Sequence, residues 1–177
     1  ALDQSQLREL LGTAELRELL DAEVVDELAL ELQLLDRKFP VTDADGVHEL
    51  LLQLGDLSRE EIVARLGLPA EEATKRLKDW LPELIDNRRV CECRIAGENR
   101  YIAAEDAARY RDSVGISLPR GLPAAFLQPT ENALADLAGR YARRHIPFRL
   151  NELAQRLGLG PSPVRAALLG LAGKGRV

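Results

Sequence analysis

Glu61-Ile62-Val63-Ala64-Arg65-Leu66-Gly67-Leu68-Pro69 and Glu152-Leu153-Ala154-Gln155-Arg156-Leu157-Gly158-Leu159-Gly160 decide how this chain is read. At an offset of 91, Glu61, Arg65, Leu66, Gly67 and Leu68 match Glu152, Arg156, Leu157, Gly158 and Leu159, and Leu77 matches Leu168. Each stretch reads as a short helix closed by a tight turn, and a repeat at one place in two such units carries more weight than either copy. Ser58 caps the first short helix, expected over Arg59 to Leu66, with Glu61 three residues on in a capping-box pattern. Upstream, Val47, Leu50, Leu51 and Leu54 fall at i, i+3, i+4 and i+7, as on one face of a helix. Leu134, Leu137, Ala138 and Tyr141 do the same before the second copy. Downstream, Ala73, Leu77, Trp80, Leu81 and Leu84 mark a third helix, with Pro82 expected to kink or shorten it. Val164, Leu168 and Leu171 mark its counterpart, and Pro161 suits that helix's first turn. Two helices joined by a tight turn form a helix-turn-helix.

Beyond the first third helix lie Arg89-Val90-Cys91-Glu92-Cys93-Arg94-Ile95, then Gly97-Glu98-Asn99, then Arg100-Tyr101-Ile102, which read as strand, turn, strand. Three helices followed by a hairpin are the parts of a winged helix. The expected fold class is therefore mainly α with small β-hairpins, built as tandem winged-helix (helix-turn-helix) units. We expect an acidic, leucine-rich helical segment over 1–40, with Leu-Arg-Glu-Leu-Leu at 7–11 and again at 16–20. Asp21 is expected to cap a helix there with Val24, Val25, Leu28, Leu32 and Leu35 on its apolar side. The first winged-helix unit with a trailing helix spans 41–113. A Gly/Pro linker spans 114–129, and its Leu118, Leu122, Phe126 and Leu127 make it too apolar to float free, so it should lie pinned on a surface. The second winged-helix unit spans 130–177 and stops before its wing closes. With no methionine anywhere, the chain is expected to be an excised piece of a longer protein.

Charge divides along the same line. Residues 1–87 hold 9 Lys+Arg and 21 Asp+Glu, a balance of −12, whereas residues 88–177 hold 15 and 8, a balance of +7. The second half is thus suited to a polyanion and the first is not. No apolar run approaches the ~20 residues of a membrane span, so no membrane partner is expected. Cys91 and Cys93, two apart in a strand, share a face with Ile95 and read as core residues. With two cysteines and two histidines there is neither a disulfide framework nor a metal-ligand set. The cytoplasm is the expected compartment. The chain has neither a Gly-x-x-x-x-Gly-Lys-Ser/Thr phosphate loop nor a Gly-x-Ser-x-Gly elbow. His48 and His145 lie on or beside apolar helical faces and read as structural. We expect no catalytic residue, metal or cofactor in this segment.

A helix-turn-helix sets its third helix against the duplex, and the wing touches backbone or minor groove. The candidate nucleic-acid contacts are Lys75, Arg76 and Lys78 on the first third helix, and Arg94 and Arg100 on the hairpin. The second unit adds Arg140, Arg143 and Arg144 on its first helix and Arg165 on its third, with Ser162 near that helix's N-terminus. Glu71, Glu72 and Asp79 share the first third helix, so solubilising charge or protein docking competes with DNA there. In the second unit nucleic-acid binding is the favoured reading.

Arg94-Ile95-Ala96-Gly97-Glu98-Asn99-Arg100-Tyr101 with Glu105-Asp106-Ala107, Leu118 through Leu127, and Tyr141-Ala142-Arg143-Arg144-His145-Ile146-Pro147-Phe148 closely resemble the C-terminal region of the long bacterial Lhr proteins. These are the large helicase-related superfamily 2 DNA helicases. The resemblance implies a parent that is an ATP-dependent 3′-to-5′ DNA translocase of DNA repair, using ATP and Mg in a helicase core upstream of this segment. It further implies that this region is an array of winged helices, that it contributes nucleic-acid binding, and that it can form a homo-oligomer. Such arrays are similar to those of AlkZ-type DNA glycosylases. A glycosylase-like module is therefore an alternative, and Gln4-Ser5-Gln6 is superficially similar to their Gln-x-Gln motif. A protein-docking or transcription-regulator winged-helix protein is another.

Overall fold

A computed structural model describes residues 22–36, 38 and 40–174. Its element order is α1 (Ala22–Leu32), α2 (Ala44–Leu54), α3 (Arg59–Val63), α4 (Ala70–Asp86), β1 (Val90–Ile95), β2 (Glu98–Ala103), α5 (Ala107–Val114), α6 (Ala133–Arg144), α7 (Leu150–Leu157) and α8 (Pro161–Gly173). Short 3-10 turns occupy Ala104–Asp106 and Ala124–Leu127. Among the described residues the fold is mainly helical with one small antiparallel hairpin.

The ends of α2 and α3 are fixed by side chains. The Asp43 carboxylate accepts the Gly46 amide at 2.8 Å, starting α2. Gly55 stops it at φ 87°, where a Cβ would lie 2.6 Å from the Tyr110 hydroxyl. Ser58 and Glu61 form the expected capping box on α3. That helix ends at Val63, earlier than expected, because Leu66 turns away to bridge Val41 and the Gly67 amide donates to the Val41 carbonyl. Helix α4 runs four residues past Pro82 and stops at Asp86, so the proline does not end it early. Ala73, Leu77, Leu81 and Leu84 bury its apolar face, with Trp80 half-buried beside them.

In the hairpin, Val90 pairs with Ala103 and Ile95 with Glu98. The reversal lies at Ala96 (φ 53°) and Gly97 (φ 82°), one residue earlier than the expected Gly97-Glu98-Asn99. Two successive positive φ values give the primed turn that matches strand twist, and this turn draws Glu98 and Asn99 into β2. Leu57 and Tyr101 exchange both backbone hydrogen bonds, at 3.0 and 2.8 Å, adding a one-residue third strand between α2 and α3.

The hairpin's faces belong to different cores. Val90, Tyr101 and Ala103 join α2, α3 and α4. Cys91, Cys93, Ile95 and Ile102 join α6, α7, α8 and the 115–129 segment. That segment is pinned as its composition suggests: Ile116 and Leu122 are buried, and the Leu127 carbonyl accepts from Arg111 at 3.0 Å. Helix α1 buries no residue. Val24 and Leu28, expected on its packed side, are 57% and 43% exposed, while Val25 and Leu32 are half-buried. The repeated Leu-Arg-Glu-Leu-Leu, Gln4-Ser5-Gln6, the Asp21 cap and the terminal Gly175-Arg176-Val177 lie outside the described residues.

Candidate nucleic-acid interface

An arginine reaches a phosphate only if no internal carboxylate has claimed it, and the structure sorts the candidates on this basis. Arg100 leaves β2 at a buried position, 5% exposed. Its Nη1 donates to Asp56 Oδ2 at 2.6 Å and to the Arg156 carbonyl at 2.9 Å, and its Nη2 donates to Glu98 at 2.9 Å. Arg140 on α6 donates both terminal nitrogens to the buried Asp106 carboxylate, at 2.5 and 2.9 Å. Arg144 donates to the Leu32 carbonyl and to Gln53 Oε1, at 3.3 and 3.1 Å, tying α6 to α1 and α2. These three read as surface arginines in the sequence, yet their guanidinium groups hold elements together.

The remaining candidates face solvent. On α4, Lys75, Arg76 and Lys78 are exposed; Arg76 lies 3.7 Å from Glu72, whereas Lys75 and Lys78 have no side-chain partner among the described residues. Arg94 is exposed beside the hairpin turn and donates to the Gly97 carbonyl at 2.6 Å. Arg143 on α6 and Arg165 on α8 are exposed and unpaired among the described residues. Ser162 is exposed in the first turn of α8, a helix with no acidic residue.

Arg156 was visible in the sequence only as the repeat partner of Arg65, and it carries the contact between the units. Arg65 donates to the Glu61 carbonyl of α3 and to the Gln33 carbonyl beyond the end of α1, not to the second unit. Arg156 instead crosses from α7 to the first unit, donating to both Glu61 carboxylate oxygens at 2.8 and 2.9 Å and lying 3.1 Å from Asp56 Oδ2. Asp56 Oδ1 accepts from the buried Tyr110 hydroxyl at 2.9 Å. Burial alone would push the Glu61 carboxyl up, but the hydrogen bonds and charge of Arg156 outweigh it and hold it at about 2. Burial, reinforced by Asp56, pushes the Tyr110 phenol well above its ordinary value. No periodicity distinguishes an arginine spent on its own unit from one that crosses.

Both histidines are engaged by neighbouring groups. Arg89 can only donate, so His48 Nδ1 accepts from it at 3.0 Å and His48 Nε2 carries the proton given to Glu105 at 3.0 Å. His145 stacks on Tyr141 at 3.7 Å and donates Nδ1–H to the Tyr141 carbonyl, and its burial lowers its pKa. Among the described residues, no group of three or more His, Cys, Asp or Glu could hold a metal.

Two helix-turn-helices, a hairpin pinned between them and an apolar strap form the frame on which these cations sit. The family model described as the large helicase-related protein winged-helix domain matches residues 18–129. The chain belongs to the large helicase-related family. Over all 177 residues it is 38% identical to a Mycolicibacterium smegmatis protein named "Lhr helicase/ probable uracil glycosylase". It is 33% identical over the same length to an Escherichia coli protein named "Lhr helicase/uracil glycosylase". The chain spans 11% of the length of each of these relatives. No helix among the described residues is long and apolar enough to cross a membrane.

Proposed function

We propose that this large helicase-related segment is a non-motor part of an ATP-dependent 3′-to-5′ DNA helicase of DNA repair, and that it grips nucleic acid by its phosphate backbone. The observation that carries this reading is the sorting of cations. Lys75, Lys78, Arg143 and Arg165 are exposed and unclaimed, while Arg100, Arg140, Arg144 and Arg156 are spent internally. Unpaired cations on both third helices and on α6 suit sequence-independent contact, as a translocase requires. ATP and Mg belong to the upstream helicase core of the parent chain, and the working location is the cytoplasm, at the nucleoid. Self-association of the parent is compatible with this role. Changing Lys75, Lys78, Arg143 and Arg165 together to alanine should weaken binding to all oligonucleotides alike. The log–log salt slope should also flatten by about 0.7–0.9 for each phosphate that is no longer neutralised. Equal affinity and slope, measured by fluorescence anisotropy, would show these cations to be solvated surface.

A second reading draws on the relatives' names. A cleft of about 500 Å³ opens between α1 and the α6–α7 loop, walled by Tyr141, His145 and Phe148 and edged by Asp26 and Glu152. Flat aromatic walls beside carboxylates suit an extruded nucleobase. In that reading a carboxylate would direct water at the glycosidic carbon, releasing free base and an abasic sugar. Release of uracil from a uracil-containing oligonucleotide, abolished in Asp26→Asn with Glu152→Gln, would support it; no release by the unaltered chain would dismiss it.

A further inference from the structure

We propose that the cleft bounded by α5, α6 and α8 is a phosphate seat, with Arg109 and Arg143 as its working donors and Arg140 as its fixed back wall. The cleft has a volume of about 310 Å³ and is lined by Arg109, Ala135, Asp136, Gly139, Arg140, Arg143 and Leu171. The proposal deepens the backbone-binding reading and rests on it for the source of the phosphate, though the site is argued from its own geometry. Helix α6 places Asp136, Gly139, Arg140 and Arg143 at i, i+3, i+4 and i+7, one face of the helix. Gly139 leaves the floor open, since a Cβ there would lie 3.1 Å from Leu171 Cδ1 and 3.3 Å from Arg143 Nη1. The Arg143 guanidinium therefore lies beside the opening that the missing side chain creates.

The three arginines are unequally engaged. Arg140 is forked onto Asp106, whose side chain is 2% exposed, and this pairing fixes the Arg140 plane. Arg109 donates Nη1 to the same Asp106 at 2.6 Å, and its Nε reaches Asp136 only at 3.4 Å. Its Nη2 has no partner, and Arg143 has none at all among the described residues. Three cations thus face two carboxylates, one buried behind the arginines and one, Asp136, 46% exposed at the rim on a loose contact. A phosphate oxygen entering here meets fixed positive charge and several unfilled N–H donors. At Arg109 Nε it competes only with the loosely held Asp136, while Nη1 stays on Asp106. Arg109 is on α5 and Arg143 on α6, so neither third helix supplies a donor to the seat.

The rim carboxylate makes the idea testable with a change that should improve binding. In the 177-residue chain, Asp136→Asn removes the competitor and should tighten binding of a single-stranded oligonucleotide by about threefold, whereas Arg143→Ala should weaken it by about tenfold. Inorganic phosphate, followed by NMR at the Arg109 and Arg143 side chains and the Gly139 amide, tests the seat without nucleic acid. Saturable shifts that an oligonucleotide displaces support both the seat and the backbone-binding reading. Saturable shifts that no oligonucleotide displaces support the seat as a site for free phosphate and count against that reading. An absence of phosphate-induced shifts, with Asp136→Asn neutral, overturns the seat. If the oligonucleotide still binds in that case, through Lys75, Lys78 and Arg165, the broader reading survives alone.

Discussion

At the scale of single residues, Arg156 shows how one side chain changes role between two copies of a motif. Its repeat partner Arg65 satisfies nearby carbonyls, whereas Arg156 neutralises Glu61 and Asp56 across the unit boundary. Removing it leaves Glu61 without its cation and the buried Asp56 with Arg100 alone, so Arg156→Ala should cost about 3 kcal/mol by urea unfolding. Arg165→Ala, at an unpaired surface site, should change stability by less than about 0.5 kcal/mol. The pH dependence follows from Glu61. Its folded pKa of about 2 lies below the ordinary 4.5, so the stabilisation is complete above pH 4.5 and is lost as pH falls toward 2. Acid unfolding of Glu61→Gln should therefore be less steep across that window, and an unchanged profile would place the acid sensitivity elsewhere. Burial raises the thiols of Cys91 and Cys93 to about 11 and about 12, so a thiol reagent should label neither at neutral pH until the chain unfolds.

At the scale of elements, periodicity was a good guide where a helix had one apolar face. The stripes on α2, α4, α6, α7 and α8 were legible because each packs against a core from one side. The alternation in β1 identified Cys91, Cys93 and Ile95 as one buried face. Sequence could not reveal that the opposite face is buried too, because Tyr101 and Val90 look the same whether covered by a helix or left half-exposed. Nor could it rank the arginines. Whether Arg100 or Arg140 reaches solvent depends on Asp56 and Asp106, which are far away along the chain and lie in no repeating pattern. The turn between α7 and α8 gives a sharper test than either stripe. Gly158 adopts φ 68°, and a Cβ there would approach the Ala96 backbone at 3.1 Å, so the tip of the first hairpin rests on the second helix-turn-helix. Gly158→Ala combines left-handed strain with this contact and should cost about 2 kcal/mol in thermal unfolding. Gly67→Ala meets Pro40 Cβ rather than the hairpin and should leave the contact between the units intact.

At the scale of the whole molecule, two helix-turn-helix units share one hairpin and one ion cluster. The second core does not close without residues of the first unit, since Cys91, Cys93, Ile95 and Ile102 lie under α6, α7 and α8. Unfolding of the described body should accordingly be a single cooperative transition, with tryptophan fluorescence from Trp80 in the first unit coinciding with circular dichroism from both. Two resolved transitions would mean that the hairpin's second face contributes little. The same sharing sets the order of events during synthesis. The hairpin is complete once Ala103 has been made, but the last residue covering its second face, Leu168, follows about 65 residues later. At about 5–20 residues per second, the growing chain carries that bare strand face for roughly 3 to 13 s. Throughout that interval Cys91, Cys93, Ile95 and Ile102 are open to any passing strand or chaperone, so this hairpin is the place where a slowed ribosome would do the most harm.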